Sequence, residues 1–253
     1  MTAQDLDLYK KIPLLNAGYI RLIDYMGNDL SVVRSARVSY DADWRAGQNT
    51  GSDERLINYM WSHGHVSPFD TVVLTLEVEA PIFVFRQWMR HWSWRFNEIS
   101  GRYSEIKEDY YVPRLEHIAA QSTTNKQGRQ EGNPLAGGDA MDVQALIKAS
   151  NSNAFSAYRR LLAMGVSREL ARTVLPLGTY SRLFATVSLR DCLFFLTKRA
   201  ASDSQLEIRV YAEEIKKILE TIVPVTMAAY NRYKWELVDT LAATNPDEQD
   251  RGA

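Results

Sequence analysis

Two hydrophobic periods recur along the chain, one of two residues and one of three to four, and they divide it into candidate strands and helices. Tyr19-Ile20-Arg21-Leu22-Ile23-Asp24-Tyr25-Met26 is rich in β-branched and aromatic residues and predicts a strand, and Gly27-Asn28-Asp29 then supplies a turn and a helix cap. A helix is expected over about 30–38, with Arg34 and Arg37 on neighbouring faces. Residues 41–52 are polar and read as a loop, whereas Leu56, Ile57 and Met60 give 53–62 helical spacing up to a stop at Gly64. From Thr71 to Glu79, Val72, Leu74, Leu76 and Val78 alternate with Val73, Thr75, Glu77 and Glu79, the pattern of a half-buried strand. Pro81 suits the first turn of a helix running to about His91.

Further along, Tyr110-Tyr111-Val112-Pro113 reads as extended, and 121–140, with Ser, Thr, Asn, Gln and four glycines, reads as a mobile surface loop. A long amphipathic helix is expected over 142–165 through Leu146, Ile147, Phe155, Tyr158, Leu161 and Leu162. Ser167 is placed to cap another. Thr179 to Ser188 reads as a strand, followed by an apolar helix over 191–200 and a longer one over 204–223 that turns Ile208, Tyr211, Ile215, Ile218 and Leu219 inward. Tyr230 to Tyr233 closes the ordered part, and 244–253 should fray.

The bulk numbers narrow the function classes. A chain of 253 residues, 45% hydrophobic and 24% charged, can bury a substantial core in one large domain or two small ones. Its net charge of -1 supplies no global field to draw it to nucleic acid or a membrane surface, so any bound anion must meet a local cluster. The single cysteine, Cys192, sits in the apolar run Cys192-Leu193-Phe194-Phe195-Leu196, where a buried, unreactive thiol is expected. One thiol allows no disulfide within the chain, which suits a reducing cytosol. Residues 1–7 lack a basic segment followed by an apolar one, and no apolar run approaches the ~20 residues that span a bilayer. A cytoplasmic protein is expected, with neither membrane nor nucleic acid as partner.

The densest chemistry lies between Arg86 and Tyr103, where Arg86, Arg90, Arg95 and Arg102 interleave with Trp88, Trp92 and Trp94 and with Gln87, His91, Asn97, Glu98 and Ser100. Arginine presents a planar fork suited to phosphate or carboxylate, and tryptophan a face for a heterocycle. That mixture suits a nucleotide. An interface segment rich in Arg and Trp reads equally well from composition alone. On the expected helix, Gln87, Arg90 and His91 emerge together at the C-terminal end. His63-Gly64-His65 could be half of a metal site, but with four histidines, one thiol and no second ligand pair at zinc spacing, no metal is expected.

Arg90-His91, followed by Asn97-Glu98-x-Ser100-x-Arg102, resembles the signature of the flavin-dependent thymidylate synthases, Arg-His-Arg-x-x-Ser-x-Asn-Glu-x-Ser-x-Arg. His65-x-Ser67-Pro68-Phe69-Asp70, Arg168 to Leu177 and Gln205 to Ala212 resemble further blocks of that family, as does Ser122 to Gly128, which is expected near substrate. The resemblance spans about 19–233. It implies an α+β fold, a mixed β-sheet with flanking helices, as one domain over 1–240 with a flexible tail over 241–253, assembled as a homotetramer with active sites at subunit interfaces. The implied reaction is reductive methylation of dUMP to dTMP, with FAD as cofactor and NADPH and methylenetetrahydrofolate as co-substrates.

By the same resemblance, Gln87, Arg90, Glu98, Ser100, Gly101, Arg102, Arg172 and Arg199 bind the pyrimidine nucleotide. Arg102 and Arg172 would hold its phosphate. Arg199 would polarise the uracil ring, making an enzyme thiol unnecessary, and Ser100, for which no His or Lys partner is evident, takes a hydrogen-bonding part in catalysis. His65, Ser67, Arg90, His91 and Arg190 are implied for FAD. Several positions depart from the family: Trp92 replaces its second Arg, Arg95 its first Ser, Ser188 and Phe194 two asparagines, Asp203 a histidine and Ala201 an aspartate. These changes leave open a divergent member that hydroxymethylates or methylates another pyrimidine nucleotide, or a non-catalytic nucleotide-binding relative.

Overall fold

The alternation between 71 and 79 becomes the middle of a sheet. In the computed structural model, which describes residues 9–233, β3 (Val73–Pro81) lies antiparallel between β2 (Gly18–Met26) and β7 (Tyr180–Ser188), with β1 (Ile12–Leu14) and β4 (Arg95–Glu98) at the two edges. Leu74 faces Val187, Leu76 faces Ala185 and Val78 faces Leu183, all buried on one side. A slip of one residue would turn this whole apolar set to solvent, which fixes the register. On the other side Glu77 is only 1% exposed and bonds to Arg21 and, at 3.0 Å, to Arg182. Burial alone would raise its carboxyl, but the Arg21 hydrogen bond and the two guanidinium charges outweigh this and hold it below the usual carboxylate range.

Helices cover the apolar side. α1 (Asp29–Val38) starts at Asn28, whose side chain accepts from the Leu30 N–H, and α2 (Thr50–Ser62) starts at Asn49, which accepts from the Ser52 N–H at 3.0 Å. The polar run 41–52 therefore ends inside a helix, because its Asn is a cap. Gly64, at φ +72°, ends α2 as expected. α3 (Ile82–Trp88) follows β3, with Pro81 in the capping position before its first turn. α4 (Gly137–Ala163) and the short α5 (Arg168–Ala171) form a second, smaller core around Phe155 and Tyr158. α6 (Leu189–Arg199) and α7 (Leu206–Ile222) close the main core with Cys192, Leu193, Leu196, Ile208, Tyr211 and Ile215, and α8 (Pro224–Tyr233) is capped by the Asp29 carboxylate, which accepts from the Val225 and Thr226 N–H groups. No helix among the described residues is long and apolar enough to cross a membrane.

Several expectations need correction. The segment read as a mobile loop forms a hairpin of β5 (Ala119–Gln121) and β6 (Arg129–Pro134) and then the start of α4. Gln121 closes its turn by donating to the carbonyls of Lys126 (2.9 Å) and Gly128 (2.7 Å), and Arg129 ties it to the His117 carbonyl at 2.8 Å. The helix expected to reach His91 ends at Trp88, and Arg95–Glu98 is an edge strand on β7. α5 passes at Arg172 into a tighter turn that ends at Val174, ahead of Pro176. The tail over 241–253 lies outside the described residues.

Candidate functional site

The tryptophans of the Arg86–Tyr103 stretch divide into two uses. Trp88 is buried and stacks on Phe195 at 4.9 Å, and Trp94, also buried, meets Trp88 edge-on at 5.4 Å. They are anchors. Only Trp92, 85% exposed, offers a free face. With the indoles holding the turn after α3 to the core, Gln87 and His91 are delivered to the C-terminal end of α6, where Arg199 donates Nε–H to His91 Nε2 at 3.0 Å and Nη2–H to the Gln87 carbonyl at 3.1 Å. His91 must keep Nε2 unprotonated to accept, and burial together with the Arg199 charge pushes its pKa down to about 4. Arg199 is itself lowered, first by burial and then by the nearby charge of Arg90.

Gln87 and Arg199 line a cleft of about 610 Å³, whose other walls are the hairpin residues Gln121, Asn125 and Gln127 and the approach to α7, Ser202 to Leu206. Five amides, counting Gln205, face one space. The segment 122–128, expected near substrate, contributes Asn125 and Gln127 to this wall.

Glu98, Gly101 and Arg172 line a separate cavity of about 130 Å³. Glu98 accepts from Ser181 Oγ at 2.5 Å, and Ser100 Oγ accepts the Arg102 N–H at 3.2 Å, a bond that holds the turn rather than one that activates a nucleophile. Gly101 is there for closeness: a β-carbon would stand 2.7 Å from Ile106 Cδ1 and 3.2 Å from Arg172 Cδ. Arg102 reaches Glu169 at 3.3 Å with both side chains more than half exposed, so a stronger anion can displace the carboxylate.

The remaining flavin candidates form a third group. His65 stacks beside Tyr59 at 5.9 Å, Ser67 opens the tight turn Ser67–Thr71, and Arg190 bonds Asp70 at 2.7 Å and Asp191 at 3.2 Å. Ser188 caps α6 by accepting from the Asp191 N–H, and Phe194 packs toward Trp61 at 6.5 Å, which accounts for two of the departures as local structure. The residues singled out from sequence thus occupy three places on one chain: Gln87, Arg90, His91 and Arg199; Glu98, Ser100, Gly101, Arg102 and Arg172; and His65, Ser67 and Arg190. Sequence reading missed a trio beside the first group, where the buried Glu207 accepts from Tyr111 Oη at 2.7 Å and from Arg129 Nη2. The available signal was a glutamate on the otherwise apolar face of α7.

Arginines, amides and a histidine thus gather on an α+β frame, donor and acceptor types of the kind that an anionic heterocycle requires. The chain belongs to the thymidylate synthase complementing protein family, Thy1, whose profile matches residues 21–225. It is 42% identical over 226 residues to a flavin-dependent thymidylate synthase of Ehrlichia ruminantium, covering 89% of this chain and 74% of that one. With the flavin-dependent thymidylate synthase of Thermus thermophilus it shares 41% over 227 residues, 89% of this chain and 80% of the other. Among solved structures it is similar to the UMP/dUMP methylase PolB from Streptomyces cacaoi bound with 5-Br dUMP, with a TM-score of 0.77, 34% identity, and coverage of 88% of this chain and 98% of that chain.

Proposed function

We propose that this chain is a flavin-dependent thymidylate synthase that converts dUMP to dTMP, with methylenetetrahydrofolate as carbon donor and NADPH as reductant. The observation that carries the reading is the partition of the expected residues: Gln87 and Arg199 line one cleft while Glu98, Gly101 and Arg172 line another. Half-sites of this kind call for completion by a second copy. A homotetramer with interfacial sites supplies it, and a reducing cytoplasm suits the buried free thiol.

In such a site Arg172, released from steric hindrance by Gly101, and Arg102, exchanging Glu169 for a ligand, hold the 5′-phosphate; each charge-assisted contact contributes ~1.5–3 kcal/mol. Arg199 retains N–H groups beyond those given to His91 and Gln87. Directed at a pyrimidine carbonyl, they draw electron density from the ring and make C6 more electrophilic. Cys192 is fully buried with its thiol pushed up by burial, so it is no nucleophile.

The donor set also fits FAD. Arg90 is exposed near Arg199, and His65, Ser67 and Arg190 add hydrogen-bond donors on a second surface, a chemistry suited to a dinucleotide's phosphates and ring edge. Bound there, the flavin supplies hydride chemistry. Visible absorption of the purified protein, before and after FAD and then dUMP, tests the reading: a flavin band perturbed by dUMP is expected, with a methylated product by mass. A hydroxymethyl product, or a protein that takes up no FAD, would refute it.

A further inference from the structure

Around the cleft of about 610 Å³, Gln121, Arg129 and Arg199 are each bonded to neighbouring protein groups, but Asp203 is not. Its exposed carboxylate has no hydrogen bond or ion pair among the described residues. The backbone that carries it is held in place: the Ser204 N–H donates to the Ala201 carbonyl at 3.0 Å, and Arg209 Nη1 donates to the Ser202 carbonyl. Two further groups on this wall are unengaged among the described residues. Ser204 Oγ has no partner, so no bond keeps it from turning about χ1 toward the cleft, and Asn125, whose Oδ1 accepts from the Gln127 N–H at 3.1 Å, keeps both amide N–H groups.

A carboxylate offers acceptors only, two of them side by side. It repels a phosphate, so this wall calls for a neutral group with two adjacent N–H donors. Among the ring systems of the proposed reaction, one qualifies. Uracil and isoalloxazine each present, on the pyrimidine edge, a single N–H between two carbonyl oxygens, and nicotinamide presents one amide. The pterin of the folate presents N3–H beside a 2-amino group, with O4 next along the edge for a donor such as Ser204 or Asn125.

We propose that Asp203 binds the 2-amino-4-oxo edge of the folate's pterin, accepting from N3–H and the 2-amino group, and so seats the carbon donor in the cleft that Gln87 and Arg199 line. The inference rests on the thymidylate synthase reading above and deepens it. A neutral histidine, the residue of the resembling family at this position, has one acceptor and can take only one of the two N–H groups.

The test is calorimetric titration of the FAD-loaded, full-length protein with folic acid, with 2-desamino-2-methylfolic acid, which lacks the amino group, and with GMP, whose guanine carries the same donor edge. Wild type is expected to bind folic acid at least about tenfold more tightly than the desamino analogue, about 1.4 kcal/mol, and more tightly than GMP. Asp203→Asn replaces one acceptor by N–H groups. It should weaken folic acid about tenfold and bring folic acid and the analogue to within about threefold of each other, with a melting temperature within a few degrees of wild type. In turnover, the same variant should raise KM for methylenetetrahydrofolate about tenfold and leave KM for dUMP within about twofold. Equal binding of folic acid and the analogue by wild type, an undiminished preference in Asp203→Asn, or tighter binding of GMP than of folic acid would overturn the pterin assignment, while dTMP formation by wild type would keep the reading it rests on. No methylated product from wild type would sink both.

Discussion

Arg199 and His91, 108 residues apart, meet through a hydrogen bond in which the guanidinium Nε–H donates to the imidazole Nε2 at 3.0 Å. This direction requires a neutral ring, and the His91 pKa is pushed down from 6.5 to about 4, by burial first and by Arg199 second. A folded-state value below the unfolded one makes the neutral ring stabilising above about pH 6.5, and that contribution is lost as the pH falls from there toward 4. In an NMR titration His91 should titrate near the lower value, and Arg199→Leu should raise the midpoint by removing the like charge. A ring that titrates at 6.5 in wild type would mean the bond is not formed in solution.

Gly101 sets the position of Arg172. In Gly101→Ala the new methyl would lie 2.7 Å from Ile106 Cδ1 and 3.2 Å from Arg172 Cδ, inside ordinary contact distance. Overpacking of this kind costs ~1–3 kcal/mol, and the exposed arginine yields more easily than the turn. Nucleotide affinity should fall about tenfold, as in Arg172→Ala, a change of about 1.4 kcal/mol. Titration of both variants with dUMP checks this; unchanged affinity in Arg172→Ala would remove the phosphate assignment.

Arg95 occupies a position where the family has serine, and its Nη1 reaches the carbonyls of Trp92 (3.3 Å), Ser93 (3.1 Å) and Trp94 (3.4 Å). One guanidinium thus gathers three backbone acceptors and holds the turn that displays Trp92. Arg95→Ser should loosen that turn with little effect on global stability. Faster amide exchange across 91–95 with a melting temperature within a few degrees of wild type is the expected result, and unaltered exchange would show that the bonds carry no weight.

Cys192 has no exposed surface, and burial pushes its thiol pKa well up. It should react with thiol reagents only on unfolding. Cys192→Ala should keep turnover within about twofold while losing stability, because the buried sulfur leaves a small void. A large loss of turnover in a folded variant would return the thiol to the chemistry.

The sequence revealed β3 and β7 because each buries one face, and a period of two survives in the residues themselves. It revealed α6 and α7 for the corresponding helical reason, and it marked candidate site residues through residue types at the spacing of a resembling family. β4 was hidden, since four residues on a sheet edge leave little periodic signal. The hairpin 119–134 was hidden too: its composition is that of a loop, and its order comes from Arg129 meeting Glu207, 78 residues away.

What the sequence determined by itself was therefore the strongly periodic elements, the absence of any intrachain disulfide and the inventory of arginines, amides and histidines from which a nucleotide site is drawn. Tertiary structure decided how that inventory is shared among three surfaces, and which tryptophans of the 86–103 stretch are core and which is free. The reason is physical. Periodicity is a local property of the chain, whereas the protonation of His91 is set by burial and by an Arg199 donor that only folding brings within hydrogen-bond distance.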